Sequence, residues 1–506
     1  MGWSSAEHPL RATQRSLIAL AVLGLSFGSA AASPWLEPGD LEVRSDLETL
    51  ADSGLLRTPV TTWPTAWGDV AAAVAEARKA QVDERLEPSI ARLGALAEAE
   101  TRTHTFALHA GLAIAERPNP IRTFDDIPRA DGEASIGLSW TGDIFAVRLT
   151  ATGAANPIDG DTFRLDGSYV GMAIGNWMFS IGYPERWWGP GWDGSLILST
   201  NARPPPQIAF NRNSAKPLDI PGFRWVGPWS LSSFMGKLDD ERVPENTLLW
   251  GLRATARPVP KLEVGLSRTA LWCGTDRPCG LTTFIDLLLG KDNAGVNVSA
   301  AEQPGDELAG FDLRWTLPGR NAAGAALYLQ WIGEDTRRGG PQIGSWLREA
   351  GVEFSGAVPR TRWQHRTHFE VADTTCQEGG AGSGGLKPDC AYEHDIYTTG
   401  YRYKGRSLGH GIDGDGLAYT IGSTLMGPDD RVWNFSARHM EINRVGAPEA
   451  AHTLSPTPQT RTDCSASHSV RVAGGTLTVA LGYQRLRDAV AGDDQSWFGW
   501  IQFRID

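Results

Sequence analysis

From about Thr105 onward, apolar residues alternate with polar or small ones at a period of two, and the pattern persists over ~400 residues. Phe106, Leu108, Ala110, Leu112 and Ile114 begin it, Phe145, Val147 and Leu149 continue it, and Trp497, Gly499, Ile501, Phe503 and Ile505 end it. Side chains two apart point to one face of a strand, so each run predicts a strand with one apolar face. A β-sandwich shows the same alternation. Two details favour a membrane barrel. Charges recur on the opposite face, as with Arg164 and Asp166, or Asp312 and Arg314 between Phe311, Leu313 and Trp315; a wet lumen tolerates them and a sandwich core does not. At roughly 22 residues per strand with its share of connections, the pattern makes about eighteen strands, too many for a sandwich. The expected fold is all-β: a large antiparallel transmembrane β-barrel of the outer-membrane type.

Composition agrees. Among 506 residues, Gly 58 and Trp 20 are high, and only 41% are hydrophobic, which suits many turns and aromatic girdles. The mean hydropathy of −0.26 excludes a polytopic helical membrane protein but not a barrel, whose strands are apolar on one face. After residue 32 there is no apolar run long enough for a membrane helix. A net charge of −12 argues against nucleic acid as a partner, because phosphate contacts need a basic footprint.

The N-terminus reads as an export signal. Arg11 and Arg15 precede an apolar run from Leu17 to Phe27, and Gly28-Ser29-Ala30-Ala31-Ala32 offers a cleavage site after Ala32. Residues from about 40 to 103 read as helical. Ser45 and Glu48 fit a capping box, with Gly54 as the stop; a second helix is expected to start near Pro64, and a third to run through Leu86, Ile90, Leu93 and Leu96. Three short helices make little core of their own and must pack on something else. The chain therefore divides into a signal peptide (1–32), an N-terminal helical plug (33–103) and a barrel with its loops (104–506).

Five cysteines fit an oxidising compartment. Cys273 and Cys279 bracket one polar segment, and Cys376 and Cys390 bracket another rich in Gly and Ser; both read as loop staples, with Cys464 left over. Neither spacing resembles a zinc knuckle, and no metal is expected.

The segment Glu185-Arg186-Trp187-Trp188-Gly189-Pro190-Gly191-Trp192 places three tryptophans and an arginine on a Gly/Pro-rich turn, followed by Asn201-Ala202-Arg203-Pro204-Pro205-Pro206. Indole faces beside a guanidinium suit sugar rings, with the Arg fork and Asn amide on hydroxyls or carboxylates. The alternative is a tight turn packed by its own tryptophans. A second segment, Tyr392 to His410, is dense in Tyr, Arg and His, with Tyr401, Arg402, Arg406 and His410 near its end. It reads either as a lumen face or as a cationic, aromatic wall for a glycan carrying uronic acid or pyruvate.

These two segments, together with Arg44 to Gly54 and Thr62 to Trp67, resemble the Wzi family of capsule-assembly proteins. The resemblance implies an outer-membrane lectin that binds capsular polysaccharide, with a helical bundle closing the periplasmic end of its barrel. It implies Arg186, Trp187, Trp188, Trp192, Asn201, Arg203, Tyr401, Arg402, Arg406 and His410 as candidate glycan contacts. Expected partners are capsular polysaccharide, outer-membrane lipid and the capsule export machinery; no cofactor is expected. The chain ends Phe503-Arg504-Ile505-Asp506 instead of in the aromatic residue common among outer-membrane barrels, which reads as a variant insertion signal.

Enzymatic motifs are missing. There is no Gly-x-Ser-x-Gly elbow, P-loop or His-Glu-x-x-His. Asp413-Gly414-Asp415-Gly416 lacks the further ligands of a calcium loop and reads as a turn. His365 and His368 would point to opposite faces of a strand near solvent or a loop. Glu185 and Asp193 are the carboxylates to test for glycan hydrolysis. A porin-type channel is the alternative to a lectin, and a barrel-embedded hydrolase is the third reading.

Overall fold

The computed structural model describes residues 34–289, 303–318, 324–334, 345–377, 386–387, 390–444, 452–488 and 490–505. The expected signal peptide lies outside them. Eighteen barrel strands, numbered β1 to β18, follow one another around a closed antiparallel barrel. They are β1 Phe106–Glu116, β2 Ala130–Thr141, β3 Phe145–Pro157, β4 (Phe163–Arg164 continued by Tyr169–Ile174), β5 Trp177–Gly182 and β6 Gln207–Arg212. Then come β7 Trp229–Lys237, β8 Leu248–Val259, β9 Leu262–Trp272, β10 Gly305–Thr316, β11 Gly324–Gly333 and β12 Trp346–Ala357. The last six are β13 Gln364–Asp373, β14 Leu417–Met426, β15 Val432–Ile442, β16 Gln459–Val472, β17 Gly475–Asp488 and β18 Gly492–Ile505. Closure is made by β18 on β1, with Ile505 opposite Ala110 and Gly499 opposite Glu116.

The period-two pattern sorts the two faces. Phe106, Leu108, Leu112 and Ile114 on β1, and Val479 and Leu481 on β17, are exposed on the outside. Asp312 and Arg314 point inward from β10 and are buried. The alternation breaks in β4. Phe163 is exposed while Tyr169 is buried, although the two share sequence parity. On β3 the partners Thr152 and Arg148 are four apart, whereas on β4 the facing Arg164 and Tyr169 are five apart. One extra residue in the turn at 165–168 reverses every later side chain.

One end of the barrel has short turns, such as 142–144, 260–261 and 473–474, and the other has the long connections; in outer-membrane barrels these are the periplasmic and extracellular ends. Three helices sit at the short-turn end: α1 Leu41–Ser53, α2 Trp67–Ala77 and α3 Glu87–Glu100. Their shared core joins Leu47 and Leu50 of α1, Val70 and Val74 of α2 and Leu93 of α3 with Trp63, Phe124 and Trp187. The capping box is displaced from its expected place. Asp40 caps α1, its carboxylate accepting from the Val43 N–H at 2.9 Å, so Ser45 and Glu48 lie inside the helix. Gly54 ends it with φ 84°. Pro64 does not open α2; it follows a cis peptide bond between two short strand pairings, and the helix begins at Trp67.

The wall charges that face α1 are not wet. Arg366 on β13 donates to Ser45 Oγ and to Glu48, and Arg314 on β10 pairs with Asp52 at 2.6 Å. Glu48 also receives Arg44, while Glu353 on β12 faces Arg314 and Arg366. Three guanidiniums therefore meet three carboxylates, all in the dry seam between α1 and the wall. A little further round, Arg253 joins Asp312 to Thr61 and Thr62, and Glu263 accepts the Val60 and Thr61 N–H groups. Of the charges read from sequence as lumen-facing, Asp312 and Arg314 seat the plug, whereas Arg164 pairs with Glu133 and Asp166 with Arg203.

Candidate functional site: the lumenal segments and the extracellular mouth

Two connections leave the rim and fold into the lumen. After β5 the chain enters at 183–206 before β6 starts, and between β13 and β14 the described residues 374–377, 386–387 and 390–416 make up the second segment. The first can bend so tightly because of its glycines. A Cβ on Gly191 would stand 2.3 Å from the Gly194 carbonyl oxygen, and one on Gly194 would lie 2.0 Å from the His410 ring.

The two segments interlock. The Tyr392 hydroxyl donates to Leu196 O at 2.7 Å and accepts the His410 N–H at 3.1 Å. The Tyr401 hydroxyl donates to Ile197 O at 2.8 Å, Ser199 N–H to Leu408 O at 2.9 Å, and the Asn201 amide to Ser407 O at 3.0 Å. The N-terminal segment joins the same assembly. Trp187-Trp188 pairs as a short strand with Thr62-Trp63, and Arg44 of α1 donates to the carbonyls of Pro190 and Gly191. All the segments that resemble the capsule-assembly family thus form one packed body.

This position decides the role of most candidate contacts. Trp187 packs edge-on to Phe124, Trp188 edge-on to Phe234, and Trp192 lies between the Arg44 guanidinium and the stacked ring of His368. All three tryptophans are buried, so the open indole surface expected from sequence does not form; they are core. His368 likewise turns inward, half-buried, because β13 stacks it on Trp192 of the first lumenal segment. Arg186 is buried on Gln207, Asn211 and Ser232, and burial pushes its guanidinium down to about 9. A hollow lined by Arg186, Arg203 and Leu408 has only 20 Å³, room for about one water and not for a sugar. Tyr401 and His410 are buried in the same seam. Arg402 grips Asp413 through two nitrogens and also meets Glu393, so the Asp-Gly-Asp-Gly stretch is a turn with an internal ion pair.

The remaining candidates face the extracellular end. Arg402-Tyr403 and Arg406-Ser407 form a small hairpin whose turn residues Lys404 and Gly405 both have positive φ; that geometry matches the twist of a two-residue hairpin. Lys404 pairs with Asp161, and Asp161 pairs with Arg203, which also holds Asp159 and Asp166. Arg406 differs from Lys404 and Arg203, and shares with Arg186 the lack of a carboxylate partner among the described residues. Among the described residues its guanidinium has no carboxylate partner, and its Nη1 is buried without a hydrogen bond. Burial pushes it down to about 9, and Arg129, Arg122 and Arg461 push the same way against Asp159. Arg129 donates to the Thr200 and Asn201 carbonyls and pairs with Glu185. It also lines a polar cavity of 220 Å³ with Glu133, Arg148 and Arg164.

Sequence reading missed Arg122, Arg129 and Arg461. Arg122 and Arg129 share the connection between β1 and β2 while Arg461 lies on β16, and no local spacing links them to Arg406. The candidate carboxylates Glu185 and Asp193 belong to different networks, the first with Arg129 and the second with Arg438 and Thr420. Both expected disulfides are formed, Cys273–Cys279 and Cys376–Cys390, while Cys464 is free on the outer wall. Glu334 lies within 4.8 Å of the second pair, but both sulfurs are bonded to each other, which leaves no thiolate for a metal.

A closed barrel with an apolar exterior, a lumen filled by its own helices and loops and an arginine-rich mouth defines a plugged outer-membrane β-barrel protein. Comparison with known proteins narrows this further. Residues 112–496 match the profile of the family described as capsule assembly protein Wzi, and the chain belongs to that family. A Klebsiella pneumoniae relative, described as an uncharacterized 55.8 kDa protein in cps region, is 29% identical over 319 residues, which is 62% of this chain and 61% of that protein. The match thus spans less than two thirds of the relative's length. Among solved structures, the chain is similar to Wzi of Escherichia coli, an outer membrane protein involved in group 1 capsule assembly and described as a carbohydrate-binding β-barrel. The TM-score is 0.79 at 23% identity, covering 93% of this chain and 99% of that one, a likeness of fold.

Proposed function

We propose that this protein is an outer-membrane surface lectin that binds acidic capsular polysaccharide at its extracellular mouth and helps assemble and anchor the capsule. Family membership supports the capsule role, and the carbohydrate binding attributed to the Escherichia coli neighbour supports the ligand class. The observation that carries the reading is Arg406, a largely buried guanidinium with no anion partner among the described residues, within electrostatic reach of Arg122, Arg129 and Arg461. A carboxylate of a uronic acid or pyruvate group would supply the missing acceptor, and charge-assisted bonds of this kind are the strong ones. Arg203 and Lys404, tied together through Asp161, form the rim beside it. The buried tryptophans, Arg186, Asn201, Tyr401, Arg402 and His410 act as the scaffold that holds this rim.

The protein holds the glycan without cleaving it: Glu185 and Asp193 are engaged in separate ion networks, and Glu185→Gln should leave capsule handling unchanged. A porin-type path would have to pass where α1 and the two lumenal segments pack. The deciding experiment complements a deletion strain with Arg406→Ala. Normal barrel yield and heat-modifiability with capsule shed into the medium is the expected result. Wild-type capsule retention would remove Arg406 from the site.

A further inference from the structure

The outer wall carries a feature that glycan binding at the mouth does not use. Across β14, β15, β16 and β17, residues in register on the outside run Ile421, Ala437, Cys464, Tyr483, and one pair higher Tyr419, His439, Thr462, Arg485. The small side chains of Ala437 and Cys464 make a floor two strands wide. Ile421 and Tyr419 stand on one side of it and Tyr483 on the other. The result is a hollow of 1040 Å³ on the lipid-facing surface. Its lining extends past Ile421 to Phe369 on β13, Val352 on β12 and Leu327 on β11, six strand spacings from Tyr483 or about 29 Å along the wall, wide enough for several acyl chains lying side by side.

The composition of the hollow changes with height. Its lower rows, which also include Phe369 and Val352, are apolar and continue the exposed apolar band of the barrel. The top rows hold Arg485, Arg487, His439 and Thr460. They lie toward the extracellular end, because β17 rises from the short turn at 473–474. Three acids share this level, among them Asp373, which lies in one register row with Arg348, Glu441 and Arg487. Asp493 pairs with Arg485 at 3.1 Å and faces Arg487 in register, and Glu441 is held by Arg444 at 2.7 Å. The balance still leaves more positive than negative charge at the rim.

We propose that this hollow seats a phosphorylated, multiply acylated glycolipid of the outer leaflet, of lipid A chemistry. The acyl chains lie over Ala437 and Cys464, and a headgroup phosphate lies on Arg485 and Arg487. Apolar floor, polar rim and the extracellular height of the rim coincide as they would for a lipid headgroup at a bilayer boundary. The site binds lipid independently of whether the mouth binds glycan.

Cys464 on the floor reports occupancy, since the other cysteines are in disulfides. The rate of its alkylation by N-ethylmaleimide is measured on the full-length protein in a fixed concentration of dodecyl maltoside, with bis-phosphorylated lipid A, dephosphorylated lipid A or inorganic phosphate added. Bis-phosphorylated lipid A should slow alkylation about tenfold when present at roughly ten times its dissociation constant. The dephosphorylated form should protect far less, and inorganic phosphate not at all. Arg485→Gln/Arg487→Gln should lose the protection while keeping the heat-modifiable barrel, and Ala437→Leu should weaken it by filling the floor. Equal protection by both lipids, protection by phosphate alone, or no protection in the wild type would each overturn the proposal. The three wild-type arms decide it even if a variant does not fold.

Discussion

The Tyr392 hydroxyl donates a 2.7 Å hydrogen bond to the carbonyl oxygen of Leu196 across 196 residues of chain, and the same hydroxyl accepts the N–H of His410. One phenol thereby ties the Trp-rich segment to the Tyr/Arg/His-rich segment. Tyr392→Phe would leave a buried carbonyl and a buried N–H unpaired, at a cost of about 1–3 kcal/mol. The expected outcome is a folded barrel with a lower heat-modification midpoint on gels and faster proteolysis within 390–416.

The ion cluster between α1 and the wall gives a sharper test. Glu48 faces Arg44 at 3.0 Å and Arg366 at 3.1 Å in a dry seam, with Arg314 beside it. Removing its carboxylate in Glu48→Ala leaves three guanidiniums with two acids. Breaking one member of a buried ion pair costs about 3–5 kcal/mol. Hydrogen exchange should show α1 opening first, while the barrel strands remain protected.

Acid should loosen the second lumenal segment through Asp413. Burial pushes this carboxyl up, but Arg402, His452 and the Thr453 N–H together hold it well below the usual carboxylate range. A depressed carboxyl stabilises the folded segment fully above its unfolded value of about 3.9, and that contribution is lost as pH falls through the folded value. Exchange rates of amides in 399–416 should therefore rise as pH drops below about 4 once corrected for intrinsic rates. Asp413→Asn should show the loosened behaviour already at neutral pH, with no further step in that window.

The Cys376–Cys390 bond closes a loop across a separation of 14 residues. Loss of such a closure in Cys376→Ser/Cys390→Ser removes about 3 kcal/mol of unfolded-state constraint. Neither sulfur lies between two barrel strands, so the unboiled protein should still migrate as a folded barrel. Protease sensitivity should appear between 374 and 400.

Charge geometry at the rim can be separated from charge alone. Arg203 bonds Asp166 through two nitrogens and meets Asp159 and Asp161 through a third. Arg203→Lys keeps the charge and loses the planar fork. Weaker retention of an acidic capsule with unchanged barrel yield is expected, and wild-type retention in this variant would assign Arg203 to rim architecture alone.

Much of this protein is legible along the chain because a strand repeats every two residues. The exposed Phe106, Leu108, Leu112 and Ile114 and the inward Asp312 and Arg314 follow from parity. Parity failed at Leu165 to Ser168, where one added residue reversed the faces after it. Helix ends were harder. Ser45 and Glu48 have capping-box spacing, yet both point to Arg366, and Asp40 caps the helix.

The sequence by itself determined the barrel, the existence of the plug and the stretches that matter, since periodicity, turn residues and motif spacing are local properties. Only the tertiary structure decided which members of those stretches face outward. Burial and pairing are set by chain segments remote in sequence: Phe124, Phe234 and His368 close over the three tryptophans. Arg122, Arg129 and Arg461 converge on Arg406 in the same way. A guanidinium looks alike in sequence whether it meets a carboxylate or lacks one, because that depends on neighbours brought together by the closing of the barrel.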